Sequence, residues 1–150
     1  MEANDVMNSE LRSPRALAES PLYMLRRALR IYTAEWHRLH GALTPPQGAV
    51  LLTLRENPGL TQSQMGDLTG IDLATLTPLL RGLEERGQLT RLTAPDNRRR
   101  KVLQLTKEGA ELVDFINKTS ASLDEAVLGD LPQEHRDALM SALTHIAGRF

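Results

Sequence analysis

Residues 61–106 read TQSQMGDLTGIDLATLTPLLRGLEERGQLTRLTAPDNRRRKVLQLT, and few folds accommodate that order of signals. Thr61 is positioned to cap a short helix whose apolar residues, Met65 and Leu68, stand three apart. Gly70 supplies a tight turn, and Asp72 caps a second helix carrying Leu76, Leu79, Leu80 and Leu83 on one face. Gly87 ends that helix. Leu89–Arg91 and Val102–Leu105 then alternate as short strands around the turn-forming cluster Ala94-Pro95-Asp96-Asn97. Helix, turn, helix and two-stranded ribbon, in that order, is the layout of a winged helix-turn-helix. Arg98, Arg99, Arg100 and Lys101 crowd the ribbon tip. Four adjacent cations repel one another, whereas a phosphate backbone or a minor groove gives them counter-charge. The stretch therefore points to DNA binding.

The rest of the composition narrows this reading. At 150 residues the chain fits one domain, or a small domain with dimerising extensions. Its net charge of −1 provides no global field for a polyanion, so any such binding must come from local clustering. Arg81, Arg86, Arg91, Arg98, Arg99, Arg100 and Lys101 supply the cluster, against Glu84, Glu85 and Asp96. The sequence contains no cysteine, which removes disulfides, thiolate chemistry and zinc fingers. No apolar run approaches the roughly 18 residues of a membrane span. The opening MEANDVMNSE lacks the layout of a signal peptide. A cytoplasmic protein without membrane contact is expected.

Outside the 61–106 stretch, residues 1–14 are polar and read as a loose arm. One long helix is expected from about Ala16 to Ala42, with Leu22, Leu25, Leu29, Tyr32, Trp36, Leu39 and Leu43 forming one apolar seam. Thr44-Pro45-Pro46-Gln47 opens the next helix, with Thr44 as N-cap, Pro45 at its first position and Gln47 completing a capping box. That helix stops near Asn57-Pro58-Gly59. After the ribbon, a helix carrying Leu112, Val113, Phe115 and Ile116 runs to about Leu128. Leu131-Pro132 breaks the chain before a last helix with Leu139, Leu143 and Ile146.

The expected fold is thus mainly α with a small β-hairpin wing, in a single domain spanning 1–150. Residues 44–106 form the winged helix-turn-helix core, and 1–43 and 107–150 supply dimerisation helices. The terminal helices are unnecessary for a minimal winged helix. They either pack on the core of a monomer or pair with a second copy. A two-fold homodimer would present two recognition helices to successive major grooves of a palindrome.

Thr75, Thr77 and Arg81 fall on the polar side of the second helix, where they either touch bases and phosphates or form solvated surface. Gln62 and Ser63, near the preceding helix start, are either phosphate donors or simple capping residues. Tyr23, Tyr32, Trp36, His37 and His40 concentrate scarce rings on the first helix, with Arg26, Arg27 and Arg30 nearby. Two uses of that cluster stay open. In one, Arg26, Arg30, Tyr32, Trp36, His37 and His40 line a pocket for a small aromatic anion between the first helix, the second helix and the wing. In the other, the rings belong to a dimer core.

Five segments carry a family resemblance: Leu43-Thr44-Pro45-Pro46-Gln47, Leu60-Thr61-Gln62-Ser63, Ile71-Asp72 through Leu83-Glu84, Arg86-Gly87, and Leu105-Thr106-Lys107-Glu108-Gly109. In order and spacing the chain resembles the MarR family of bacterial transcription regulators over nearly its full length. The resemblance implies a homodimer with a winged helix-turn-helix in each lobe, a wing arginine in the minor groove, and repression relieved by a small ligand or by oxidation. Proteins of that pattern carry Asp-x-Arg in the wing. Here it falls on Asn97-Arg98-Arg99, so Asn97 replaces the Asp and Arg99 becomes the minor-groove residue, its carboxylate brace weakened or supplied by Asp96. Thr75 to Leu80 resembles the organic-peroxide-sensing branch, but without cysteine thiol sensing is excluded. Pro78, inside the recognition helix, removes the bond to the carbonyl of Ala74 and is expected to bend or delay the helix.

No HExxH or other metal-ligand spacing, Gly-rich phosphate loop or GxSxG elbow occurs, so catalysis, metal and cofactor are not expected. Two functions remain. One is a DNA-binding repressor of palindromic operators released by a small ligand. The other is a winged-helix module for architectural DNA binding or protein contacts, without an inducer.

Overall fold

The computed structural model describes residues 14–148. Helix α1 (Arg15–Ala18) is followed by α2 (Pro21–His40), α3 (Pro45–Glu56), α4 (Gln62–Thr69) and α5 (Leu73–Glu85). Strands β1 (Leu89–Ala94) and β2 (Asn97–Leu105) form one antiparallel hairpin. Helices α6 (Lys107–Leu128) and α7 (Gln133–Ala147) complete the described chain. The expected loose arm, 1–14, lies outside the described residues except for Pro14.

Side-chain caps set most of these boundaries. Thr44 accepts from the Gln47 N–H while Gln47 accepts from the Thr44 N–H, the anticipated capping box. Thr61 and Gln64 repeat it at α4. Asp72 caps α5 by accepting the Thr75 N–H, and Thr106 caps α6 through Gly109. At the end of α5, Gly87 takes φ +68°. Its N–H reaches the Glu84 carbonyl and that of Gln88 reaches Leu83, a Schellman closure.

The single long N-terminal helix is corrected. Helix breaks at Glu19, and Ser20 caps a new one by accepting the Tyr23 N–H. The cause is Pro21, which disfavours helical geometry at Ser20 and fits the first position of a helix. The seam divides as well. Trp36 and Leu43 are buried and Leu39 packs against the core, whereas Leu22 is 77% exposed and Leu29 59%.

The core gathers Val50, Leu51 and Leu54 of α3, Met65 of α4, Leu76, Leu80 and Leu83 of α5, Leu89 and Leu103 of the hairpin, and Val113 and Ile116 of α6. Leu68, expected to share the inner face of α4 with Met65, points outward instead. Eight residues make barely two turns, and Met65 is the one residue of α4 that is buried. Helix α5 passes through Pro78 without interruption, so the expected delay does not occur. The hairpin is joined to the segment before α4 by two backbone bonds, Leu103 N–H to Leu60 O at 2.7 Å and Gly59 N–H to Leu103 O at 3.2 Å. These fix the wing relative to the helix-turn-helix.

Candidate nucleic-acid interface

Helix α5 buries Leu76, Leu80 and Leu83 and turns Ala74, Thr75, Thr77, Pro78 and Arg81 outward. Its anchor is dense. The Thr75 hydroxyl donates to Asp72 Oδ2 at 2.7 Å, and the Thr77 hydroxyl donates to the Leu73 carbonyl at 2.7 Å. Gln62, the first residue of α4, donates through Nε2 to Thr77 Oγ1 at 2.7 Å and ties the two helices together. Hydrogen bonds from the Thr75 side chain and then its backbone N–H hold the Asp72 carboxyl below the usual carboxylate range. Capping of α4 belongs to Thr61 and Gln64, so capping does not account for Gln62 or Ser63, and Ser63 stands exposed beside them.

In the wing, pairing runs regularly from Leu89↔Leu105 to Thr93↔Lys101 and then jumps to Ala94↔Asn97. Arg98, Arg99 and Arg100 therefore have no facing residue on β1 and bulge from the ladder. The cations belong to β2 rather than to the turn, which is Pro95-Asp96. Their commitments differ. The Arg100 guanidinium pairs with Asp96, and this pairing holds the Asp96 carboxyl below its ordinary value. Lys101 donates to Thr93, and Arg91 lies 3.6 Å from Glu84 of α5. Among the described residues, no side-chain partner engages the guanidinium of Arg81, Arg98 or Arg99.

Asn97 Oδ1 accepts from the backbone N–H of Arg99 at 2.9 Å. The amide thus fixes the main chain at Arg99 and leaves the guanidinium alone. Asp96 as a brace for Arg99 is corrected, since its carboxylate is engaged by Arg100.

The first-helix cluster does not assemble as one pocket. A cavity of about 500 Å³ opens between α2, the start of α3 and the α4–α5 turn, lined by Tyr32, Thr33, His37, Pro45, Thr69 and Ile71 among others. Of the six expected residues, Tyr32 and His37 reach it. Burial raises the Tyr32 phenol. His37 Nδ1 donates to the Gly41 carbonyl at 2.9 Å, an assignment forced by the acceptor. Trp36 is instead a core residue whose Nε1 donates to the Leu43 carbonyl at 2.7 Å. His40 stacks on Trp36 with ring centroids 4.2 Å apart and meets Thr119 of α6. Arg26 and Arg30 are exposed and line no part of this cavity, and neither does the wing. Adjacent positions on α2 point about 100° apart, so Trp36 and His40 turn toward the core and α6 while His37 turns toward the cavity. The walls contributed by Pro45, Thr69 and Ile71 carry no local signal in the sequence, because they meet only through the tertiary fold.

A capped second helix, a hairpin with a basic bulge, and flanking long helices define a winged helix-turn-helix. The family model of the MarR family matches residues 43–101. The transcriptional regulator HosA of Escherichia coli O111:H- is 31% identical over 125 residues, covering 83% of this chain and 93% of that protein. The chain belongs to the MarR family of transcription regulators. The organic hydroperoxide resistance transcriptional regulator of Bacillus subtilis is 33% identical over 103 residues, 67% of each chain. The transcriptional repressor CouR bound to a 23-mer DNA duplex superposes with a TM-score of 0.80 at 30% identity, covering 92% of this chain and 99% of that one. Its complex with p-coumaroyl-CoA gives 0.83 at 29% identity, covering 93% and 100%. No described helix is long and apolar enough to cross a membrane.

Proposed function

We propose that this chain is a homodimeric repressor of palindromic operators, released by a small aromatic acid. The observation that carries the DNA-binding part is the bulge of β2, where Arg98 and Arg99 keep their guanidinium groups unpaired while neighbouring cations are engaged. Arg99 is assigned to the minor groove, Arg98 and Arg100 to flanking phosphates, and Thr75, Thr77 and Arg81 to the major groove, with Gln62 and Ser63 at the backbone. CouR, similar over nearly its whole length, is described as a repressor and has been seen on a duplex.

Pairing of two chains is supported by apolar surface that one copy leaves bare. Leu22, Leu29 and Ile31 of α2 and Met140, Leu143 and Ile146 of α7 are exposed, and α7 buries no residue at all. A groove of about 230 Å³ between α2, α6 and α7, walled by Leu25, Leu29, Leu123, Val127, Leu139 and Leu143, is almost wholly apolar. The effector reading rests on the cavity beside Tyr32 and His37, which has the size and apolar lining of a small-molecule site. With Nδ1 donating to Gly41, His37 presents Nε2 as an acceptor for a donor group of the ligand such as a phenol hydroxyl. CouR accommodates an aromatic acyl thioester.

Selection of bound duplexes from a random pool, followed by titration at several salt concentrations, tests the proposal. A single palindrome bound far above random DNA, with affinity falling steeply as salt rises, is the expected result. Equal binding to all duplexes would favour an architectural module instead.

A further inference from the structure

We propose that the outward face of the first half of α5 offers base edges methyl groups and no side-chain hydrogen-bond donor, so that Thr75, Thr77 and Pro78 select thymine by its methyl group; this rests on the reading of α5 as the major-groove helix. A threonine hydroxyl has one proton to give. That of Thr75 goes to the Asp72 carboxylate and that of Thr77 to the Leu73 carbonyl, both at 2.7 Å. Gln62 occupies a lone pair of Thr77 as well. Redirecting either proton toward DNA would forfeit one of these bonds, and the first is charge-assisted. Pro78 has no N–H, so the Ala74 carbonyl one turn earlier receives no helix bond and stays an acceptor.

What remains outward is a set of methyl groups, the Pro78 ring and acceptor oxygens, all on exposed residues. In the major groove G·C and A·T pairs each present two acceptors and one donor, so a face without side-chain donors tells them apart through the thymine methyl. Thymine presents a methyl group, and its partner adenine presents the N6 amino donor. The face therefore matches A·T pairs in either orientation. Any guanine contact from α5 falls to Arg81, one turn further on, whose guanidinium is unengaged. Pro78 thus gains a role: it extends the apolar face where a donor side chain would oppose it.

The test uses the duplex recovered from the random pool, with each thymine in turn replaced by deoxyuridine, which lacks only the 5-methyl group. At one or two positions per half-site the replacement should weaken the wild type about fourfold, the worth of one buried methyl. The Thr75→Ser/Thr77→Ser double variant keeps both hydroxyls and loses both methyls, so its sensitivity to the same replacements should fall to whatever Pro78 alone supplies. Thr77→Val keeps its methyl and should retain that position's sensitivity. A flat deoxyuridine scan of the wild type would overturn the proposal, and so would sensitivity undiminished in the double serine variant. A pool that yields no preferred duplex removes the operator reading itself, a distinct failure.

Discussion

At single residues the structure separates side chains that the sequence presents as equals. Arg98, Arg99 and Arg100 are one run of letters, yet Arg100 is held by Asp96 and Arg99 is fixed through its backbone by Asn97. Arg99→Ala is therefore expected to weaken operator binding about tenfold or more, at unchanged stability, in an anisotropy titration at fixed salt. Arg100→Ala should cost clearly less and mainly flatten the salt slope. Equal losses for the two would refute the assignment. Gly109 makes a different point. Alanine has the better helix propensity by about 1 kcal/mol, but a Cβ there would overlap the Gln88 carbonyl oxygen, where the first turn of α6 crosses the wing base. Overlap with backbone has no flexible neighbour to yield, and overpacking costs about 1–3 kcal/mol. Gly109→Ala should thus lower the urea midpoint despite its propensity. The same crossing explains why Leu105-Thr106-Lys107-Glu108-Gly109 was readable as a motif: Thr106 caps α6 and also donates to Gly87 O at 2.6 Å.

Among the elements, α5 depends on its start. Its Asp72 carboxyl is held low by Thr75 in the folded chain, so the cap contributes stability above the ordinary carboxylate range and loses it as pH falls through the depressed value. Asp72→Asn retains an acceptor without the charge. The stability gap between wild type and Asp72→Asn in urea unfolding should be constant from neutral pH down to about pH 4, and should close below it. A gap unchanged at acid pH would show that the charge contributes nothing to the cap. Most elements were legible because such signals are local: Thr44 with Gln47, Asp72, Gly87 and Thr106 all act within a few residues. Ser20-Pro21 was equally local but was outweighed by the apolar seam running through it. The tie of β2 to Gly59-Leu60 was not legible, being two backbone bonds between segments some forty residues apart. The wing bulge was hidden for a related reason, since a register jump follows from the pairing of both strands and not from either alone.

For the whole molecule, the proposed function joins the uncovered rows on α2 and α7 to the cavity beside Tyr32. A charge placed at Leu143 or Ile146 would have to be desolvated between two chains, so Leu143→Asp with Ile146→Asp should dissociate or unfold the protein in sedimentation, and an intact dimer would refute the interface. The cavity lies where α2, which carries the bare apolar row, meets the turn leading into α5. An occupant therefore touches both the proposed dimer arm and the base of the recognition helix. To release DNA it must bind the DNA-incompetent dimer better than the competent one, and about tenfold preference per site corresponds to about 1.4 kcal/mol. Tyr32 forms a wall of the cavity, and its ring centroid lies 6.1 Å from that of Trp36, the single tryptophan of the chain. Trp36 itself is buried and sandwiched toward His40, so it should report occupancy through Tyr32 and not by contact. Benzoate- or phenol-like acids at millimolar concentration are expected to shift its emission and weaken operator affinity together, and Tyr32→Ala should abolish both responses while leaving DNA binding in place. If such acids alter neither signal, the cavity is not an effector site for this ligand class. If emission shifts while operator affinity holds, the ligand binds without coupling, and release must come from elsewhere in the dimer.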